Sequence, residues 1–167
     1  GEAWLHDQNF SDGTWGWTSS NAKSYTGSNP AYGVDNSEDD FLYNRWRYDY
    51  KKETFGYRIP LANGIYTVNL GFAETGMSEA GRRLADVKIE GQLVLSNYDI
   101  VARGGYRHAL TETFTANVAD GELNIDVYTA AGSELGAILN CFEVLPAGGP
   151  PPNNPPVAGA DALTTDE

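Results

Sequence analysis

The stretch from residue 41 to residue 57 places aromatic rings among cationic and amide side chains, a combination that suits sugar recognition. Beyond Phe41, six of its 17 residues are aromatic, and Arg, Lys and Asn stand between them. The flat face of a ring packs against the C–H side of a sugar, while neighbouring polar groups reach the hydroxyls. In a buried strand, so many polar groups would be costly because they would lack hydrogen-bond partners. The stretch therefore predicts a carbohydrate-recognition surface.

Five side chains are the first candidates for ligand contact. Trp46, Tyr48 and Tyr50 share one parity, so on a strand all three would point to the same face. If that face is exposed it forms a stacking platform, and if it is buried the rings belong to the core; the sequence leaves both readings open. Arg47 is a candidate donor to sugar hydroxyls. Tyr25 lies among Ser, Thr, Gly and Asn residues, which would bury a ring poorly.

An acidic cluster in a turn-rich loop is the best candidate for a calcium site. Ca²⁺ takes six to eight oxygen ligands, and the EF-hand spacing of such ligands is absent here, so a solvated loop is the alternative. We expect no other cofactor. The formal net charge of −12 excludes nucleic acid as a partner, because binding phosphates needs a basic surface. The candidate calcium ligands are Asp35, Glu38, Asp39 and Asp40.

The elements that must position these residues are short strands. Apolar residues alternate with polar ones in several segments, which is the pattern of strands buried on one face. Turn formers at 62–64, 90–91 and 119–121 predict hairpins between them. The expected fold is all-β, an antiparallel sandwich or jelly roll. The strands are expected at 65–72, 84–89, 92–95, 111–118, 123–127 and 136–145.

Composition divides the chain into three parts. Residues 1–147 suit one domain, whereas 148–156 are rich in Pro, Gly and Asn and are expected to form an extended linker. Residues 157–167 are too short to fold alone. No apolar run reaches the length of about 18 residues that a membrane span requires, so we expect no membrane insertion. A single cysteine, Cys141, excludes an internal disulfide.

Several segments, in order and spacing, resemble the malectin family over residues 1–146. This resemblance implies a β-sandwich of the galactose-binding-like kind that binds carbohydrate and has no catalytic activity. The tail 157–167 resembles the opening of cadherin-like and VCBS-type repeats, which implies a secreted or cell-surface bacterial parent. The segments that carry the malectin resemblance are 53–60 (ETFGYRIP), 64–68 (GIYTV), 71–74 (GFAE), 82–91 (RRLADVKIEG), 97–100 (NYDI), 120–125 (DGELNI) and 138–146 (ILNCFEVLP).

Animal members of that family bind short α-linked glucose disaccharides through aromatic residues and an aspartate. The resemblance places Tyr25 and Tyr48 at two of the tyrosine positions. Where the family carries two adjacent aromatics, this chain reads Thr75-Gly76-Met77, and the aspartate position falls at Gly132. About half of the disaccharide site is therefore changed. The resemblance implies sugar binding, with a different specificity.

The altered loop contributes two further candidates. Glu74 either accepts hydrogen bonds from sugar hydroxyls or bonds the backbone within its own turn. Met77 is a candidate to line the pocket in place of the lost ring.

The resemblance also implies a strand before Gly1. Without it the sandwich would expose a sheet edge, so strand addition from another chain or subunit is expected. The leading interpretation is a non-catalytic carbohydrate-binding module. The alternative is a structural or assembly domain that has lost the sugar pocket.

Overall fold

The computed structural model describes residues 5, 7–11, 13–19, 22–26, 33–49 and 52–147, with the backbone alone in 22–26. The linker and tail predicted for 148–167, Tyr50 and the side chain of Tyr25 lie outside the described residues.

Short antiparallel strands are the main regular structure of the described chain. Its two helices are α1 (Asp40–Tyr43) and α2 (Ile100–Gly104). Among the described residues no helix has the length and apolar character needed to cross a membrane. The strands are β1 (Gly16–Trp17), β2 (Ala22–Thr26), β3 (Arg45–Asp49), β4 (Thr54–Pro60), β5 (Gly64–Phe72), β6 (Ala85–Ile89), β7 (Gln92–Tyr98), β8 (Leu110–Val118), β9 (Glu122–Thr129), β10 (Ile138–Leu139) and β11 (Cys141–Pro146).

The strands form three sheets. One has five strands in the order β1-β4-β9-β6-β7, and two have three strands, in the orders β11-β5-β8 and β10-β3-β2. The five-stranded sheet and the β11-β5-β8 sheet share one hydrophobic core, to which both contribute. This arrangement confirms the prediction of an all-β antiparallel sandwich.

The core follows the alternation expected from the sequence. On β5, Val68, Leu70 and Phe72 are fully buried, and they meet inward-facing residues of the opposite sheet such as Val87 and Ile125. Burying one such side chain stabilises the fold by about 1.5–3 kcal/mol. A smaller cluster of Val34, Ala73 and Ala109 lies beside it.

Only one of the three predicted hairpins is confirmed. β6 and β7 pair around Glu90-Gly91, whose positive φ angles of 50° and 71° are those of a tight hairpin turn. The turn at 62–64 instead carries the chain from β4 into the other sheet, and the turn at 119–121 carries it back into β9. Neither Asn63 nor Gly64 has positive φ. The Asn63 amide donates to the Ala119 carbonyl at 2.9 Å and ties the two crossing turns together.

The strand predicted at 136–145 is divided at Asn140. The part before it, β10, pairs with β3, whereas the part after it, β11, pairs with β5. The Asn140 side-chain amide donates to the carbonyls of Tyr43 and Arg45, each at 2.9 Å, and its oxygen accepts from the Ala73 amide at 2.8 Å. These three bonds hold the chain where it passes from one sheet to another.

Candidate functional site

Strand register brings three loops to one end of the sandwich, called the loop end below. Phe72 pairs with Leu110, and Ala85 pairs with Thr129, so the loops that follow or precede these residues are neighbours. The loop end comprises residues 73–84, 99–109 and 130–137. The altered segment around Thr75-Gly76-Met77 therefore lies beside two loops that are distant in sequence.

Glu74 organises this end as part of a buried ion pair. Its side chain is 1% exposed, and one carboxylate oxygen lies 2.6 Å from Nε of Arg83. The other oxygen accepts from the Gly76 amide at 2.8 Å. Arg83 also donates to the Gly136 carbonyl in the third loop. Of the two alternatives for Glu74, the structure shows backbone bonding within its turn. The ion pair closes the 73–84 loop, and the bond from Arg83 to Gly136 joins this loop to the third.

Trp46 belongs to the core and not to an exposed platform. It is 6% exposed, and its ring lies beside Gly76, where an added Cβ would stand 3.7 Å from the ring. Tyr48, two positions further along β3, is half-buried and packs against the main core. Tyr25 is opposite Trp46 in the β2–β3 register. Of the two readings that the sequence leaves open for this face, the buried one therefore applies to Trp46, which is core and lies against the loop at Gly76.

Arg47 is directed to the side of β3 away from these rings. It is 7% exposed and donates from Nε to the Asp7 carboxylate at 2.9 Å, and its guanidinium stacks on the Trp17 ring at 4.3 Å. The Tyr57 hydroxyl donates to the same carboxylate at 3.3 Å. Burial raises the pKa of Tyr57 well above its ordinary value. Arg47 is thus occupied by an internal polar cluster, which corrects its assignment as a donor to sugar.

The acidic residues predicted to bind calcium carry out local structural roles. Asp39 caps α1 by accepting from the Phe41 amide at 3.1 Å, and Asp40 accepts from the Val34 amide at 2.9 Å. The main chain of Asp35 bonds to that of two residues in the 99–109 loop. In the part of the chain that the structure describes, no three His, Cys, Asp or Glu side chains form a group able to hold a metal ion. Calcium binding by these residues, Glu38 included, stays a prediction.

An exposed ring that the sequence analysis missed lies at the loop end. Tyr106 is 44% exposed, and its hydroxyl donates to the Thr75 carbonyl at 3.2 Å. Gly76 beside it is exposed and Met77 is half-buried. The Arg107 guanidinium lies 5.8 Å from the Tyr106 ring centroid. The available signal was an aromatic residue directly after Gly104-Gly105, where a ring in a turn is poorly buried.

The buried hydroxyl of Thr75 adds a polar feature to the same loop. Within the described residues its Oγ1 has no hydrogen-bond partner, although the residue is only 2% exposed. A buried hydroxyl without a partner costs about 1–3 kcal/mol. The ring of Tyr106, the exposed backbone at Gly76 and Met77 together form a surface on which a sugar ring could lie.

A groove, called the edge groove below, lies beside β11. It has a volume of about 600 Å³ and is lined by residues of β3, β4 and β11 and by Leu5, Asp7 and Trp15. Its walls include Trp15, Ile59 and Phe142. The Phe142 ring lies 4.7 Å from the ring of Tyr57.

Cys141, at the start of β11, is a half-buried thiol that packs against Gly71. Burial raises its pKa from 9.0 to about 12. An added Cβ at Gly71 would stand 2.3 Å from its sulfur, so the thiol fills the space that the glycine leaves. A thiol with this pKa is protonated at neutral pH and is a poor nucleophile.

Comparison with known proteins gives a consistent result. A family model described as the malectin domain matches residues 1–138. Malectin of Homo sapiens is 34% identical over 91 residues, which cover 54% of this chain and 30% of that protein. A nodulation receptor kinase of Pisum sativum is 33% identical over 84 residues, covering 49% of this chain and 9% of the kinase. The chain therefore spans under a third of the length of these relatives.

Solved structures share the fold. The crystal structure of a Bacteroides uniformis β-glucuronidase has a TM-score of 0.70 at 23% identity, covering 86% of this chain and 15% of that one. The ANX2 ectodomain from Arabidopsis thaliana has a TM-score of 0.69 at 15% identity, covering 78% of this chain and 41% of that one. At these identities the likeness concerns the fold alone.

Proposed function

Because this chain belongs to the malectin domain family, we propose that it is a non-catalytic carbohydrate-binding module and that it holds glycan at its loop end. The match of the family model to residues 1–138 is the observation that carries this proposal. The relatives named above include malectin and a receptor kinase, and the neighbours include a receptor ectodomain, which supports an extracellular or cell-surface setting. A bacterial surface protein is the proposed parent.

The proposed contact surface is built around Tyr106. Gly76 has no side chain and Thr75 is buried, so neither supplies the ring that the family has at this place. Tyr106 lies beside them, presents a half-exposed ring and is fixed through its hydroxyl to Thr75. Met77 lines one side of the surface. In the proposed mode, the sugar stacks on Tyr106 and a sugar hydroxyl donates to the Gly76 carbonyl, since the Gly76 amide is already bonded to Glu74.

Tyr48 and Tyr25 form the second part of the proposed site, on the β2–β3 pair. Trp46, Arg47 and Glu74 are not proposed as ligand contacts, because all three are buried and have partners within the protein. Their role is to hold the strands and loops that carry the site. Since the ring arises from a different loop than in the disaccharide-binding members, the proposed ligand is a glycan other than an α-linked glucose disaccharide.

A glycan array followed by calorimetry on the strongest hit tests the proposal. Tyr106→Ala should weaken binding by about 2- to 10-fold, the equivalent of losing about 0.5–1.5 kcal/mol of ring stacking. Tyr106→Phe keeps the ring and should retain binding. Leu93→Ala is the matched control, because Leu93 is exposed and follows the β6–β7 turn at the opposite end of the sandwich. Tyr48→Ala tests the second part of the site.

Two outcomes would overturn the proposal. If no glycan binds at millimolar concentration, with or without calcium, the domain is a structural or assembly unit. If a glycan binds but Tyr106→Ala and Tyr48→Ala have the affinity of Leu93→Ala, the site lies away from the loop end.

A further inference from the structure

β11 is an edge strand whose outer side has no strand partner among the described residues. In its sheet, β5 pairs with β11 on one side and with β8 on the other, so β11 has only one neighbour. The Ala147 amide donates to the Ile65 carbonyl at 2.8 Å. In an antiparallel ladder the direction of the amides alternates, so the odd-numbered amides of β11 point to β5. The amides and carbonyls of Phe142 and Val144 therefore point outward.

The outward side of β11 opens onto the edge groove. The side chains of Phe142 and Val144 line it from β11, whereas Ile59 and Leu61 line it at the end of β4. Leu5 at its rim is 73% exposed. A strand placed about 4.8 Å from β11 would thus pair with backbone groups that have no strand partner among the described residues, and it would cover an apolar surface at the same time. Pro146 has no N–H, so the ladder would end there.

The charges of the groove indicate what kind of strand fits. Its lining contains two acidic and two basic side chains, Asp7, Glu143, Arg45 and Arg47, which sum to zero. Asp7 is paired with Arg47, and Glu143 accepts from the Asn69 amide at 2.8 Å. The whole chain carries −12. A second copy or an acidic segment would be repelled, whereas an uncharged strand with basic flanks complements the surface.

We propose that the edge groove is a strand-acceptor site. It binds an extended peptide segment with apolar residues at alternate positions and neutral or basic flanks, which pairs with β11 through Phe142 and Val144. The segment adds a fourth strand to the β11-β5-β8 sheet, and its inward side chains pack against Trp15 and Ile59. This site is separate from the loop end and does not depend on glycan binding.

The test uses the full 167-residue chain, labelled with ¹⁵N, and the blocked peptide Lys-Val-Thr-Val-Thr-Val-Lys. Hydrogen exchange of the free protein should be fast at the Phe142 and Val144 amides and slow at the Glu143 and Leu145 amides, which bond to β5. Adding the peptide should slow exchange at Phe142 and Val144 by at least about tenfold, because those amides gain acceptors. The same peptide with N-methyl groups on alternate backbone nitrogens should have no such effect.

Val144→Pro supplies a protein-side control. It removes an outward donor and leaves the amides that face β5, so peptide affinity should fall at least about tenfold. If this variant does not fold, the N-methylated peptide alone decides. A peptide whose lysines are replaced by glutamate should bind more weakly, and more so at low salt.

Three results would overturn the proposal. Slow exchange at Phe142 and Val144 without peptide would mean that these amides are already paired, and protection that rises with protein concentration would assign the edge to a second copy. Equal effects of the plain and N-methylated peptides would exclude strand pairing. Oligosaccharides that shift the groove signals, in the absence of any peptide effect, would make the groove a glycan site.

Discussion

The ion pair between Arg83 and Glu74 gives the sharpest test of how the loop end is built. Arg83→Met keeps much of the side-chain volume but leaves the Glu74 carboxylate, 1% exposed, without its cation. At the observed 2.6 Å, and with an effective dielectric constant of about 20, the attraction is about 6 kcal/mol. Much of this is offset by desolvation of the two charges. Removing one partner of a buried pair costs about 3–5 kcal/mol, and this is the expected loss of stability.

Arg82→Met is the matched control in the neighbouring position. Arg82 also forms two ion pairs, with Glu79 and Glu134 at 2.8 Å each, but all three side chains are largely exposed. Exposed pairs contribute about 0–1 kcal/mol each. The two adjacent arginines therefore differ in burial, while their distances to carboxylates are similar. We expect Arg83→Met to cost several times more than Arg82→Met.

Urea unfolding followed by tryptophan fluorescence measures both variants, because the chain has four Trp residues. In thermal unfolding followed by the same fluorescence, Arg83→Met should lower the Tm by about 6–20 °C, and Arg82→Met, which loses two exposed pairs, by no more than about 8 °C. The double variant Glu74→Gln/Arg83→Met should recover part of the loss, since it removes the unpaired charge. Equal costs for the two single arginine variants would refute the reasoning that burial gives this pair its importance.

Three further predictions concern packing, the sheet crossing and the thiol. Gly56→Ala should destabilise the fold by about 1–3 kcal/mol in urea titrations, because the new Cβ would stand 2.8 Å from the Ile125 carbonyl oxygen; an unchanged midpoint would contradict this. Asn140→Ala should cost about 2–4 kcal/mol through loss of its three backbone bonds, and stability equal to wild type would mean that the crossing holds without it. At pH 8 the Cys141 thiol should react with a disulfide reagent about 30- to 60-fold more slowly in the folded than in the urea-unfolded chain. Burial raises its pKa from 9.0 to about 12, which lowers the thiolate fraction, and the greater nucleophilicity of a more basic thiolate offsets part of that loss. Equal rates at pH 8 would contradict this.

Much of the candidate site was accessible from the sequence, but the roles of its residues were not. The family resemblance directed the search for a site to β3 and to the loop after Phe72. It could not separate exposed rings from buried ones, since Trp46 and Tyr48 have the same parity and similar neighbours. Trp46 is buried because a loop some 30 residues later in the chain lies over it. Tyr106 was missed because nothing in its local sequence links it to Thr75.

The two charged candidates, Arg47 and Glu74, are occupied by internal partners that the sequence did not reveal. Arg47 pairs with Asp7, 40 residues away, and no local sequence pattern predicts that contact. Glu74 pairs with Arg83 across a loop whose course the alternation of apolar residues does not describe. A charged residue in an aromatic segment reads as a ligand contact until its internal partner is known.

The sequence by itself determined most of the strands between residues 64 and 129, their buried faces and the positions of the turns, because a period of two residues and the preferences of Gly and Asn are local properties. The tertiary structure decided which sheet each strand joins. The turns at 62–64 and 119–121 resemble the turn at 90–91 in sequence. The first two carry the chain from one sheet to the other, whereas the turn at 90–91 closes a hairpin. The segment 136–145 was predicted as one strand, but it contributes β10 to one sheet and β11 to another. Strand pairing depends on which apolar faces can be buried together, and that is a property of the assembled core and not of any single segment.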